Sequence, residues 1–205
     1  IGSVFADVTT VTLFTLADAR LLYHYFNETN DPRTFYPWQQ AAISGFLAEG
    51  NIEFLGTTGG ALRIHPTESF DDVIPAELRY DPVNNPDGAR STVYDHTVNV
   101  YGTNEDGFAY RPLDNVGVQY GLAALNAGQI DKNMFLDLNA NIGGFDLDLN
   151  YVPERHEADL SAIEAAYRTG LIIDGGGGYS TTPVIDYRSY NDDPRDGNIH
   201  HLVHG

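Results

Sequence analysis

The chain contains no cysteine, so disulfides, thiolate metal sites and a cysteine nucleophile are all excluded. It is poor in positive charge: 11 Lys and Arg stand against 29 Asp and Glu, a formal net charge of -18. Such a surface repels phosphate backbones and anionic lipid headgroups, which argues against nucleic-acid and membrane partners. No apolar run approaches the ~20 residues that span a bilayer. A G-x-S-x-G elbow, the strained strand-to-helix turn that presents the serine of many esterases, is also missing. Ser44 in AISGF and Ser180 in GYSTT each have only part of the required small-residue frame. The chain starts at Ile1 with no signal peptide before it and stops at Leu202-Val203-His204-Gly205 without a polar tail. Both ends read as those of a fragment or a trimmed product.

What is present suffices for a core: 205 residues, of which 42% are hydrophobic and 12% aromatic. Helical spacing predicts a first helix over 16–26 and a second over 37–49, the latter opened by Pro37 and closed by Gly50-Asn51. Residues 52–107 are dominated by turn signals, with one strand-like run at 91–101 (STVYDHTVNVY). Further helices are predicted over 116–127, from Asp131 as N-cap to about Asn139, and from the Ser161-x-x-Glu164 capping box to Gly170. After the glycine run 175–178, the segment TPVIDY at 182–187 reads as a short buried strand. One or two strands are too few for an independent α/β domain. The expected organisation is therefore a helical lid or cap region over 1–170 and, over 171–205, a late strand and acid-bearing loop of a larger sheet. Trp38, Tyr120 and Phe135 are apolar contributors to that lid, with ordinary core packing the favoured alternative for each taken singly.

Three patterns carry chemistry. Asp146, Asp148 and Asn150 alternate, and Glu157 falls at the twelfth position of a calcium loop that begins at Asp146. Against calcium, Tyr151 stands where the sharp turn needs glycine and Pro153 removes a donor; the alternative is a polar turn between helices, with Asp146 or Asn150 bonding nearby backbone. His200 and His204 have the spacing of a zinc pair on a helix, but the glutamate of H-E-x-x-H is lacking. A role for one of these histidines in proton transfer or substrate hydrogen bonding fits better. Finally, Asp192, Asp193 and Asp196 follow the expected strand at 182–187, where open α/β sheets gather their sites.

Beyond periodicity, the wording of five segments is specific: LRYDPVNNPDGARSTVYD (78–95), RPLDNVGVQYGLAALNAGQI (111–130), FLDLNANIGGFDLDLNYVPER (135–155), AAYRTG (165–170), and PVIDYRSYND with DGNIHH (183–201). Together they resemble a family of large secreted bacterial proteins related in layout to tannase-like esterases and 3-hydroxybutyrate-oligomer hydrolases. The resemblance implies an α/β-hydrolase core with an elaborate lid, a serine nucleophile elsewhere, and hydrolysis of carboxylic esters in a secreted or periplasmic setting. It makes Asp192 the triad acid and His200 a nearby site residue. The implied partners are an ester substrate and the remainder of the hydrolase, on the same polypeptide or a companion chain. No cofactor is required by that chemistry, with calcium as an optional stabiliser. The competing reading is a non-enzymatic, acidic, calcium-stabilised binding or structural module.

Overall fold

The computed structural model describes residues 11–29, 35–45, 49–57, 64–68, 70, 73–172, 180–183 and 185. Helix α1 (Val11–Asn27) lies at the centre, with Leu16, Ala17, Ala19, Leu21, Leu22, Tyr25 and Phe26 all buried. That spread covers most of the helix circumference, so α1 is enclosed rather than laid on a surface. It packs chiefly on α3 (Glu49–Thr57), where Ile52 is buried, and touches α2 (Pro37–Ser44). Near its end, Tyr25, Phe26 and Phe35 form a three-ring cluster with centroids 5.3 to 5.8 Å apart. Each such ring contributes about 0.5–1.5 kcal/mol per pair beyond its buried area.

The helix expected over 37–49 is in fact broken. Gly45, at φ 78°, ends α2 in the left-handed conformation and donates its N–H to the Ala41 carbonyl. A glycine takes that conformation without steric cost, so the stop comes at Gly45. The pair Gly50-Asn51, expected to end the helix, lies inside the first turns of α3 instead. Trp38 is 56% exposed at the start of α2, parallel to Tyr36 at 6.5 Å, and is not part of the core.

The strand expected at 91–101 is two one-turn helices, α4 (Val93–His96) and α5 (Val98–Tyr101). Thr92 decides this: its side chain accepts from the Asp95 N–H, an N-cap that outweighs the β-preference of the valines and tyrosines around it. Tyr94 and Tyr101 then point inward as an edge-to-face pair. The turn-rich stretch before them is held by Arg90. Its guanidinium lies 4.5 Å from the Tyr80 ring and 3.9 Å from Phe108, and donates to the carbonyls of Pro86, Asp106 and Gly107.

In the second half, α6 is shorter than expected, Leu122–Asn126, because residues 116–121 form turns. Helix α7 (Lys132–Asn141) starts at Asp131 as anticipated, the Asp131 carboxylate accepting from the Met134 N–H. A two-residue antiparallel hairpin follows, β1 (Gly144–Phe145) with β2 (Tyr151–Val152). Helix α8 (Leu160–Thr169) starts after Asp159 rather than at Ser161; the Asp159 side chain makes no cap bond to the helix, and its carboxylate instead receives the Arg111 N–H, tying the helix start to the preceding loop. It ends at Gly170 as expected and packs on α5. Among the described residues the named strands are β1 and β2. The expected strand at 182–187 lies largely outside them, and those of its residues that are described, 182, 183 and 185, carry no strand. No described helix is long and apolar enough to cross a membrane.

Candidate functional site

A cleft of about 360 Å³ opens between α1, the end of α2 and the segment that leads into α6. This lies within the roughly 300–1,000 Å³ typical of small-molecule sites. Ala19 and Leu22 from α1, Ile43 from α2, and Val118, Leu122 and Ala123 supply mostly apolar walls. Among the lining residues Asp18 bears the one ionisable carboxyl, beside Tyr120.

Helix α1 places Asp18 among buried apolar neighbours, with Leu21 and Leu22 one turn further on. Tyr120 is delivered by a fixed piece of backbone. Its N–H donates to Asn139 Oδ1 at 2.9 Å and its carbonyl accepts from Asn139 Nδ2 at 2.8 Å, so α7 clamps it on both sides. Next to it, Gly121 sits at φ 79°, and a β-carbon there would come within 3.1 to 3.2 Å of Ile130 and Ile43. Only glycine combines that conformation with the closure of the cleft wall.

The polar core of the site is a chain of hydrogen bonds. Tyr120 Oη donates to Asp18 Oδ1 at 2.5 Å. Asn115, 0% exposed, donates from Nδ2 to Tyr120 Oη at 3.4 Å and to the Gly143 carbonyl at 2.9 Å, while its Oδ1 accepts the His156 N–H at 2.9 Å. Because Asn115 donates to the phenol oxygen, the phenol proton is directed to Asp18. The Arg155 guanidinium lies 5.0 Å from the Tyr120 ring centre and donates to the carbonyls of Asn115, Val118 and Asn139.

Burial raises the Asp18 carboxyl above its ordinary range, with the Tyr120 hydrogen bond and the Arg155 charge opposing only in part. Burial and the neighbouring Asp18 carboxylate push the Tyr120 phenol upward, so it stays a neutral donor. Burial also depresses the His156 imidazole to about 4 and keeps it neutral; its ring lies 5.7 Å from Phe145 at 22°. A carboxyl shifted by desolvation in an apolar cleft is the chemical setting of a proton donor or a ligand anchor.

The patterns singled out in the sequence fare differently. Asp146, Asp148 and Asn150 form the turn of the β1–β2 hairpin. Asp146 accepts the Asn150 N–H on Oδ1 at 2.8 Å and Asn150 Nδ2 on Oδ2 at 3.0 Å, and Asp148 accepts the Tyr80 hydroxyl at 2.7 Å. Leu149 takes φ 64°, the left-handed conformation that reverses the chain within the 146–150 connection. Burial and the Asp148 hydrogen bond push the Tyr80 phenol up to about 12. Arg111, buried and donating to the Leu147 carbonyl at 2.8 Å, feels both Asp146 and Asp148. Both Asp146 oxygens and one Asp148 oxygen thus accept from protein donors, as in a polar turn, and the turn joins strands rather than helices. Glu157 is exposed. Among the described residues no three His, Asp or Glu side chains are grouped so as to hold a metal ion. Asp192, Asp193, Asp196, His200 and His204 lie outside the described residues. Ser44 lines the cleft, its hydroxyl donating back to the Ala41 carbonyl, and Ser180 is exposed.

Sequence reasoning missed Asp18 and Asn115 and assigned Tyr120 only to packing. The pair Tyr120 and Asp18 is 102 residues apart in sequence. The available signal was the lone carboxylate within the apolar run LFTLADARLL.

Searches of the curated proteins and of the solved structures return no match to this chain. Residues 1–205, the entire sequence, match the family described as "Tannase-like family of unknown function (DUF6351)". The resemblance to tannase-like proteins thus extends over the helical region, the cleft and the acidic segment after Pro183, and the chain belongs to the tannase-like family.

Proposed function

We propose that this chain is part of a secreted or periplasmic serine-type carboxylic-ester hydrolase. The supporting observation is the tannase-like family match along residues 1–205. In this reading residues 1–170 form a lid or cap region that shapes the approach of substrate, and 171–205 belong to a larger α/β-hydrolase sheet. A serine on the remainder of the hydrolase attacks the ester carbonyl, and an imidazole takes its proton. Asp192 holds that imidazole in the correct tautomer and stabilises its charged form, with His200 beside it. The order of strand, acid and imidazole in the sequence suits this division of labour. The acyl group is an aryl acid or a hydroxyalkanoate oligomer.

The test is hydrolysis of p-nitrophenyl butyrate and methyl gallate by the complete purified gene product, alongside its Asp192→Asn and His200→Ala variants. Turnover is expected for at least one ester. Loss of the acid should lower kcat by a factor on the order of 10²–10⁴, as for other triad acids. Absence of turnover on both esters, or an Asp192→Asn variant as active as the parent, would overturn the proposal.

A further inference from the structure

The Asp18 cleft has features that ester hydrolysis does not use. The carboxylate is set in mostly apolar walls, and one of its oxygens receives the Tyr120 proton. No described Lys, Arg or His makes an ion pair with it. Among the described residues the cation that acts on it, Arg155, is committed elsewhere: it lies 5.0 Å from the Tyr120 ring centre and donates to three backbone carbonyls. Removing a carboxylate from water without a counter-charge is costly, and the cost is recovered when a cation enters beside it. A neutral ligand offers only a hydrogen bond. A bare inorganic cation would leave the apolar walls of the cleft uncovered and would itself lose hydration.

We infer that the cleft is a binding site for a small primary ammonium ion with an apolar body, the ammonium paired with Asp18 and the body against Leu22, Ile43, Val118 and Leu122. The acidic excess of the chain, -18 overall, attracts cations toward it from solution. Tyr120 holds the carboxylate in place for this pairing through the hydrogen bond from its phenol to Asp18 Oδ1, its own backbone being clamped by Asn139. Among the described residues the titratable or charged groups around Asp18 are few. Arg155 and the Tyr120 phenol act on it; α2 contributes Ile43 and Ser44, and the segment from Val118 to Ala123 contributes Gln119 besides its apolar residues and Tyr120. Burial holds the Asp18 proton more tightly than usual, so occupancy by the ammonium strengthens as pH rises through the titration of this carboxyl. This site does not depend on the hydrolase reading.

Calorimetric titration of the intact protein with benzylammonium, benzyl alcohol and methylammonium decides the matter. Benzylammonium should bind at least tenfold tighter than benzyl alcohol at pH 8 and low salt, and more weakly at acid pH. Methylammonium, which lacks the apolar body, should bind at least tenfold more weakly than benzylammonium. In Asp18→Asn, with folding verified by circular dichroism, benzylammonium should fall to the affinity of the alcohol. Ala123→Phe, which fills the mouth of the cleft and leaves the carboxylate in place, should weaken benzylammonium. Equal affinity for the alcohol, equal affinity for methylammonium, or unchanged benzylammonium binding in either variant would overturn the inference.

Discussion

Replacing Asn115 by alanine removes the node that ties the cleft to the hairpin. Its side chain has 0% exposure and serves two backbone groups, the Gly143 carbonyl at 2.9 Å and the His156 N–H at 2.9 Å. Each group left unpaired costs about 1–3 kcal/mol, so the substitution should destabilise the protein by about 2–6 kcal/mol. The longer bond to Tyr120 Oη, 3.4 Å, adds little. For a protein of this size about 2–4 °C of Tm is lost per kcal/mol, which places the fall at roughly 4–24 °C. Urea unfolding followed by far-ultraviolet circular dichroism measures it, with Asn141→Ala as reference. Asn141 is exposed and donates to the Asp137 carbonyl on the surface of α7, so its loss should stay within about 0.5 kcal/mol. An Asn115→Asp variant keeps the acceptor for His156 but loses the donor to Gly143 and buries a charge. It should be severely destabilised at neutral pH and partly recover as pH falls and the new acid protonates. If Asn115→Ala cost no more than Asn141→Ala, the claim that these buried bonds hold the site together would be wrong.

Other outcomes follow from the same structure. Asp18 has a raised folded pKa, so its ionisation costs stability above that pKa and the cost is relieved as pH falls through it. Asp18→Asn, without ligand, should therefore melt higher than the parent at pH 8, with the advantage vanishing at strongly acid pH; an advantage independent of pH would contradict this. His156 is depressed to about 4, below its unfolded value near 6.5, so its contribution is intact above about pH 6.5 and is lost between there and about pH 4. His156→Phe, which retains a ring against Phe145, should flatten the acid limb of stability over that window, as followed by Tm. Thr92→Ala removes the cap of α4 and should cost about 1 kcal/mol in urea unfolding. Because both Asp146 oxygens and Asp148 Oδ1 are bonded to Asn150 and Tyr80, excess chelator or added calcium should leave Tm unchanged. A chelator-induced fall would support the calcium reading of that loop.

How far the sequence could be read depended on the range of the interactions involved. Helices α1, α7 and α8 rest on 3.6-residue periodicity and end signals within a few residues, and they were legible, with the ends of α7 and α8 shifted by little and the start of α1 five residues earlier than the expected 16. The segment 91–101 was not, since Thr92 capping and the inward packing of Tyr94 and Tyr101 reversed a β-rich composition. Two-residue strands such as β1 and β2 have too few positions to show an alternating pattern. The alternating carboxylates at 146–150 were visible, but their partners, Tyr80 and Arg111, come from other parts of the chain. Likewise the Asp18 site unites positions 18, 115 and 120, which no local motif connects. Tannase-like wording along the chain was legible, as the family match bears out.

The most direct measurement for the hydrolase proposal is the intact mass of the complete gene product after exposure to a fluorophosphonate, which forms a stable bond with an activated serine. The account predicts a single adduct, lost after prior heat denaturation, that peptide mapping assigns to a serine outside these 205 residues. No adduct on folded protein, or one on Ser44 or Ser180, would contradict it.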